Sequence, residues 1–305
     1  MTQPHPQSLQ ADLMGQPRTP ALIGCHLGTA LLHSTRNYLT TKHDQQERPL
    51  KFIMPLKLAL LGAAVACVTS SQALADSANI AVAANFTEPA KEIAAAFKAK
   101  TGHEAVLSFG SSGQFFTQIS QDAPFQVFLS ADSARPKKLE EDGLAVKSTR
   151  FTYAVGKLVL WSKEPGLVKG EQTLKDGKFA KLSICNPVAA PYGAAAVEAM
   201  QTLRVYDELK PKFVEGANIS QAFQFVQTGN AEIGFVALSQ VINDKDGSRW
   251  MVPQSLYTPI TQDAVLLKKG ENDEAAKAFF EFLKGPESRA IIEKFGYEVP
   301  PAKAS

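Results

Sequence analysis

The stretch NIAVAANFTEPAKEIAAAFKAKTGHEAVLSFGSSG, residues 79–113, decides the reading of the fold. Its first six residues, Asn79–Ala84, form an apolar run of strand length. Glu88–Lys100 then places Ile93, Ala94 and Phe97 at helical spacing and stops at Thr101-Gly102, and Glu104–Phe109 is strand-like again. The pattern is β-α-β. Two short segments inside it, Ala83-Ala84-Asn85-Phe86-Thr87 and Ser108-Phe109-Gly110-Ser111-Ser112-Gly113, each follow a strand and open a helix. The first turn of a helix leaves main-chain N–H groups without partners and carries the positive end of the helix dipole, so it attracts an anion without a charged side chain. Two such openings so close together suggest a receptor for an oxyanion.

The rhythm continues outward. A helix is expected from Ser112 to about Gln121, a strand at Val127–Ser130 and a helix at Ala134–Asp142 ended by Gly143. One long strand-like segment, Phe151–Trp161, departs from it. Beyond lie a strand at Leu182–Cys185, helices at Gly193–Leu203 and Ser220–Thr228, a strand at Glu232–Val236, an apolar segment at Ala264–Leu267, and helices at Glu274–Leu283 and Pro286–Phe295. Alternation of this kind predicts an α/β architecture with largely parallel sheets.

Toward the N-terminus, Met54-Pro55-Leu56-Lys57 leads into the apolar run Leu58–Val68, then Thr69-Ser70-Ser71 and Ala73-Leu74-Ala75. This reads as a secretory signal over residues 54–75, cleaved after Ala75, with residues 1–53 as an upstream leader or an over-extended start. The run is too short to span a membrane. Ala64-Val65-Ala66-Cys67 fits a lipid-modified cysteine poorly, because Ala64 stands where Leu is usual. A free periplasmic protein is expected. Cys185 is then the one cysteine left after processing, so no intrachain disulfide can form and stability must come from the core.

The formal charge of +2 belongs to the full chain, and removing the six Lys/Arg and three Asp/Glu of residues 1–75 leaves −1. No basic block is available for nucleic acid or an anionic membrane surface. Of five histidines only His103 lies beyond residue 75, expected as a solvated residue at a helix exit. One His and one Cys supply neither a transition-metal cluster nor a convincing nucleophile–base pair. P-loop and GxGxxG patterns are absent from residues 76–305.

Taken in order, Ala83–Thr87, Ser108–Gly113, Phe125-Gln126-Val127-Phe128-Leu129-Ser130-Ala131-Asp132, Pro191-Tyr192-Gly193, Ala231-Glu232-Ile233-Gly234-Phe235-Val236 and Phe282-Leu283-Lys284-Gly285-Pro286 resemble the periplasmic molybdate-binding proteins of ABC transporters, over about Asn79 to Val299. The resemblance implies a two-lobed periplasmic binding protein, two α/β lobes with a ligand cleft between them and two chain crossovers. Lobe I would comprise 76–155 and 259–305 and lobe II 156–258, with crossovers near Tyr153–Lys157 and Tyr257–Asp263. It also implies capture of molybdate and delivery to the membrane permease of an ABC importer, by a monomer that performs no chemistry, inserts in no membrane and needs no cofactor.

Carried over by position, the ligand site falls at Asn85, Ser112, Tyr192 and Ile219, with Ala84 and Ser111 as further contacts. The anion would be held by the Asn85 amide, the Ser112 hydroxyl and main-chain N–H groups of Ser112, Tyr192 and Ile219. Some relatives supply a Tyr hydroxyl where this chain has Ala237, so that donor is absent. Each residue also has a purely structural reading: Ser111-Ser112-Gly113 as an N-cap, Asn85 as a turn residue, Tyr192 as turn packing and Ile219 as core. Tungstate or sulfate in the same fold is the near alternative; a secreted serine hydrolase using Ser111 or Ser112 is the alternative from another class.

Overall fold

Strand β1 (Ser77–Ala83) forms where small and β-branched residues alternate between two apolar environments. Ile80 and Val82 enter one core while Ala81 enters another. Burial on both faces explains why the run carries no polar alternation. The structure, a computed structural model, describes residues 76–301. The expected leader, signal segment and Cys67 lie outside the described residues.

Among the described residues, ten strands form two five-stranded sheets. The first has the order β2-β1-β3-β10-β4, with β2 at Glu104–Gly110, β3 at Val127–Leu129, β4 at Phe151–Gly156 and β10 at Ile260–Leu266. The second has the order β7-β6-β8-β5-β9, with β5 at Leu158–Ser162, β6 at Leu182–Cys185, β7 at Phe213–Gly216, β8 at Ile233–Ala237 and β9 at Ser248–Met251. Each sheet is the centre of one lobe. The chain passes from the first sheet to the second at Lys157 and returns over residues 252–259.

Two expectations are corrected here. Phe151–Trp161 is two strands in two different sheets, separated by Lys157, rather than one long strand. The sheets are also mixed. β1 runs parallel to β2 and β3, and β6 parallel to β7 and β8, but β10 is antiparallel to β3 and β4, and β5 antiparallel to β8 and β9. The antiparallel pairs all involve β5 or β10, the strands by which the chain enters lobe II and re-enters lobe I.

Helices cover both faces of each sheet. In lobe I, helix Thr87–Thr101 buries Ile93 and Phe97 beside Phe279 and Phe280 of helix Glu274–Lys284, against Val127, Leu129 and Ala264. On the opposite face Phe115 and Ile119 of helix Ser112–Ser120 meet Leu139, Phe128 and Val265. Burying one such side chain contributes about 1.5–3 kcal/mol, which lets a core of this size hold the described residues, with their one thiol, without a disulfide among them. That thiol, Cys185, is buried, and burial pushes its pKa up to about 12. His103 is half-buried and stacks on Phe97 rather than standing free in solvent. Among the described residues, no helix is long and apolar enough to cross a membrane.

The lobe II core does not end at its own sheet. It runs through Leu160, Ile184, Phe235, Tyr192 and Ile219 to Ala83, Ala84 and Ala131 of lobe I. The lobes are therefore in contact across the cleft, and the polar groups along that seam define the candidate site.

Candidate functional site

Three helices begin at the seam, each for a local reason. Ser111 caps helix Ser112–Ser120: its Oγ accepts from Gln114 N–H at 3.3 Å, while the Gln114 side chain accepts from Ser111 N–H at 3.2 Å. Pro191 opens helix Pro191–Thr202, where its missing N–H costs nothing. Asn218 caps helix Ile219–Gln227 by accepting from Gln221 N–H at 3.1 Å. A tight 3-10 turn, Ala84–Phe86, follows β1.

The starts of all four elements border one small cavity, of about 10 Å³, lined by Ala84, Asn85, Ser111, Ser112, Tyr192 and Ile219 together with Ala83, Gly110, Ala131, Ala190, Pro191 and Asn218. All six expected ligand positions are thus brought together from both lobes. Ser112 and Ile219 are first residues of their helices and Tyr192 is a second residue, so their N–H groups have no acceptor within the helix. Three helix dipoles turn their positive ends to the same space.

The side chains divide the work differently from the sequence expectation. Ser112 Oγ accepts from Ala131 N–H at 2.9 Å, which leaves its own hydrogen free to donate. Ser111 Oγ serves as the helix cap, the structural role anticipated for it. The Asn85 carboxamide is committed elsewhere: Nδ2 donates to Gln262 Oε1 at 2.9 Å and to Tyr297 OH at 3.0 Å. Both of its hydrogens are used, so the expectation that the Asn85 amide nitrogen turns to the anion is corrected. Its remaining donor is the main-chain N–H. The Ile219 side chain is core, and only its main chain borders the cavity as a polar group. Ala237 is buried in lobe II and does not line the cavity.

Among the described residues, no carboxylate lines this space. Two acidic side chains of lobe I are neutralised by partners: Asp132 pairs with Arg135, and the buried Asp263 accepts from Arg150 Nη1 at 2.5 Å and Thr152 Oγ1 at 2.7 Å. Hydrogen bonding to Asp263 raises the Arg150 pKa further, so the guanidinium stays charged. Larger grooves of about 650 and 530 Å³ flank the seam, but both are open. Arg135, which lines both, is already bonded to Asp132 and to the Val188 carbonyl, the latter at 2.7 Å. Drug-sized ligands need about 300–1,000 Å³, so the small cavity between the helix starts excludes them.

Hydrogen bonds tie the lobes together around the cavity. Gly113 N–H donates to Ala189 O at 2.8 Å, Ser220 Oγ to Ala84 O at 3.2 Å, and Ser239 Oγ to Asn85 O at 2.8 Å. Beneath Asn85, Tyr297 OH donates to Asn85 O at 2.7 Å, and Tyr153 OH lies 3.0 Å from Gln262 Oε1. Burial holds the Tyr153 and Tyr192 pKa values well above the usual phenol range and pushes Tyr297 up to about 12, so all three stay protonated. Sequence reasoning missed Gln262, Tyr297, Tyr153 and Ser239. The one local signal is the polar pair Gln262-Asp263 inside the apolar strand β10.

Residues 78–298 match the family described as bacterial extracellular solute-binding protein. The chain belongs to that family. Among relatives of this solute-binding protein, the molybdate-binding protein ModA of Rhodobacter capsulatus is 60% identical over 217 residues, covering 71% of this chain and 86% of the relative. ModA of Azotobacter vinelandii is 52% identical, covering 79% and 96%. The solved structure of the Azotobacter vinelandii periplasmic molybdate-binding protein superposes with a TM-score of 0.71 at 40% identity, covering 73% of this chain and 99% of that one.

Proposed function

We propose that this solute-binding protein captures molybdate in the periplasm and delivers it to the membrane permease of an ABC importer. The observation that carries the reading is the cavity itself: three helix N-termini and a tight turn, contributed by two lobes, surround a small space with donors and no carboxylate. A tetrahedral dianion only accepts hydrogen bonds, and such a shell only needs to donate. The contacts are the Ser112 hydroxyl and the main-chain N–H groups of Asn85, Ser112, Tyr192 and Ile219, with Ala84 and Ser111 closing the wall. Relatives bearing the name molybdate-binding protein at 60% and 52% identity support molybdate as the ion. Tungstate, a tetrahedral dianion of the same charge, should enter the same shell.

The ion is cargo, not a cofactor, and the protein works as a monomer without turning it over. The serine-hydrolase alternative fits less well. Ser112 Oγ is bonded to a main-chain N–H, and His103, the only histidine among the described residues, lies at the far end of helix Thr87–Thr101 from the cavity. Export would follow cleavage after Ala75.

Molybdate at a hundredfold excess over its dissociation constant should stabilise the folded protein by about 2.7 kcal/mol. For a domain of this size that is a rise in Tm of roughly 5–11 °C. A thermal melt with and without molybdate checks this, alongside an assay with generic ester and phosphoester substrates. A stoichiometric shift with no product supports the reading; product formation, or no shift, contradicts it.

A further inference from the structure

We propose that Gln262, which lines no part of the cavity, is the positioning residue that registers lobe II against Asn85 when the cleft is closed, and that affinity for the ion depends on it. The inference rests on the oxyanion reading of the cavity and goes beyond it, to a residue of the crossover strand.

Gln262 is fully buried on β10, one residue before a register shift at Gln262/Asp263. Its Oε1 accepts from Asn85 Nδ2 at 2.9 Å and from Tyr153 OH at 3.0 Å, both in lobe I. Its Nε2 donates to Tyr192 OH at 3.3 Å, in lobe II. A single carboxamide therefore holds one ligand-site residue from each lobe. Its oxygen and nitrogen are not interchangeable, because Oε1 faces donors and Nε2 faces a phenol oxygen.

Tyr192 transmits this contact along its own length. Its main-chain N–H belongs to the cavity wall while its hydroxyl reaches the end of β4, where the chain crosses between lobes. Room for that hydroxyl comes from Gly156. A Cβ there would stand 2.1 Å from the Tyr192 hydroxyl and 2.6 Å from Gln262 Nε2. The crossover is thus shaped to admit the Tyr192–Gln262 pair, and the pair exists only when helix Pro191–Thr202 is seated against lobe I. Opening the cleft would leave polar atoms of both residues to find new partners, which links the seating of Tyr192 to the cavity that its N–H completes.

The test is a set of molybdate titrations on the full chain, with dissociation rates and ligand-free melts, for the parent, Gln262→Met, Tyr192→Phe, the double variant and Ser288→Ala. Ser288 Oγ donates to Phe282 O at 2.8 Å wholly within lobe I and serves as a control for the loss of a buried hydrogen bond. Gln262→Met is expected to weaken affinity roughly five- to tenfold, mainly through faster dissociation. Tyr192→Phe should lose less, and the double variant should bind no worse than Gln262→Met, because both changes break the same link. Ser288→Ala should lower the ligand-free Tm and keep the parent affinity. Parent-like affinity in Gln262→Met, multiplicative losses in the double variant, or an equal loss in Ser288→Ala overturns the proposal. If Gln262→Met does not fold, Tyr192→Phe decides it: parent-like affinity and dissociation overturn it. A parent that ignores molybdate overturns the reading of the cavity, and this inference with it, and is told apart by appearing before any substitution is made.

Discussion

Gly113→Val is expected to weaken molybdate binding roughly 5- to 150-fold, the range that corresponds to about 1–3 kcal/mol of overpacking, while leaving the ligand-free Tm close to that of the parent. Gly113 sits in the first turn of helix Ser112–Ser120, and its N–H donates to Ala189 O across the seam. A Cβ at this position would stand 3.0 Å from both the Ala189 Cα and its carbonyl oxygen, and 3.2 Å from Arg135 Nη2. Two of those three atoms are backbone of the other lobe and cannot step aside. The branched side chain therefore acts against closure and not against the folding of either lobe. Calorimetric titration beside a melt separates the two effects; a Tm loss that accounts for the whole affinity loss would show that the residue matters to the fold alone.

Ser112→Ala should weaken molybdate binding roughly ten- to a hundredfold, since hydrogen bonds to charged groups contribute about 1.5–3 kcal/mol. It should also lower stability. Removing Oγ strips the buried Ala131 N–H of its acceptor, and an orphaned buried donor costs about 1–3 kcal/mol. In a domain of this size that is a Tm loss of roughly 2–12 °C. The two losses have different signatures, because the stability cost is present without ligand and the affinity cost is not. Parent affinity in a variant that has lost stability would remove the Ser112 hydroxyl from the ion's shell.

Much of this arrangement is legible along the chain because its causes are local. The run 79–113 specifies β-α-β through strand-length apolar segments and a Gly102 stop, and Ser111 declares itself as a cap through Gln114 three residues on. Where causes are distant, the sequence is silent. The break at Lys157 cannot be read from the residues themselves, because apolar residues continue on both sides of it, each side being buried in a different sheet, and only the family resemblance points to a crossover there. β7 and β9 are four residues each with partly exposed positions, too short and too polar to register as strands. Asn85 is identifiable from the sequence as a candidate ligand position, but its side-chain partners lie 177 and 212 positions away, at Gln262 and Tyr297. No spacing rule relates them, so the division of labour between its carboxamide and its main chain emerges only from the fold.

The central claim is that a shell of donors without a carboxylate selects a fully deprotonated tetrahedral dianion. Near neutral pH phosphate retains at least one proton, and burying that O–H without an acceptor costs roughly 1–3 kcal/mol. The Ser111, Ser112 and Asn218 side-chain oxygens at the cavity already accept from Gln114, Ala131 and Gln221 N–H groups. Competition titration at neutral pH, with phosphate added to the molybdate-loaded protein, is the most direct measurement. The account predicts that phosphate at concentrations comparable to molybdate displaces none of it. Displacement at comparable concentration would contradict the account and place an acceptor, such as the Asn85 carboxamide oxygen, in contact with the ion.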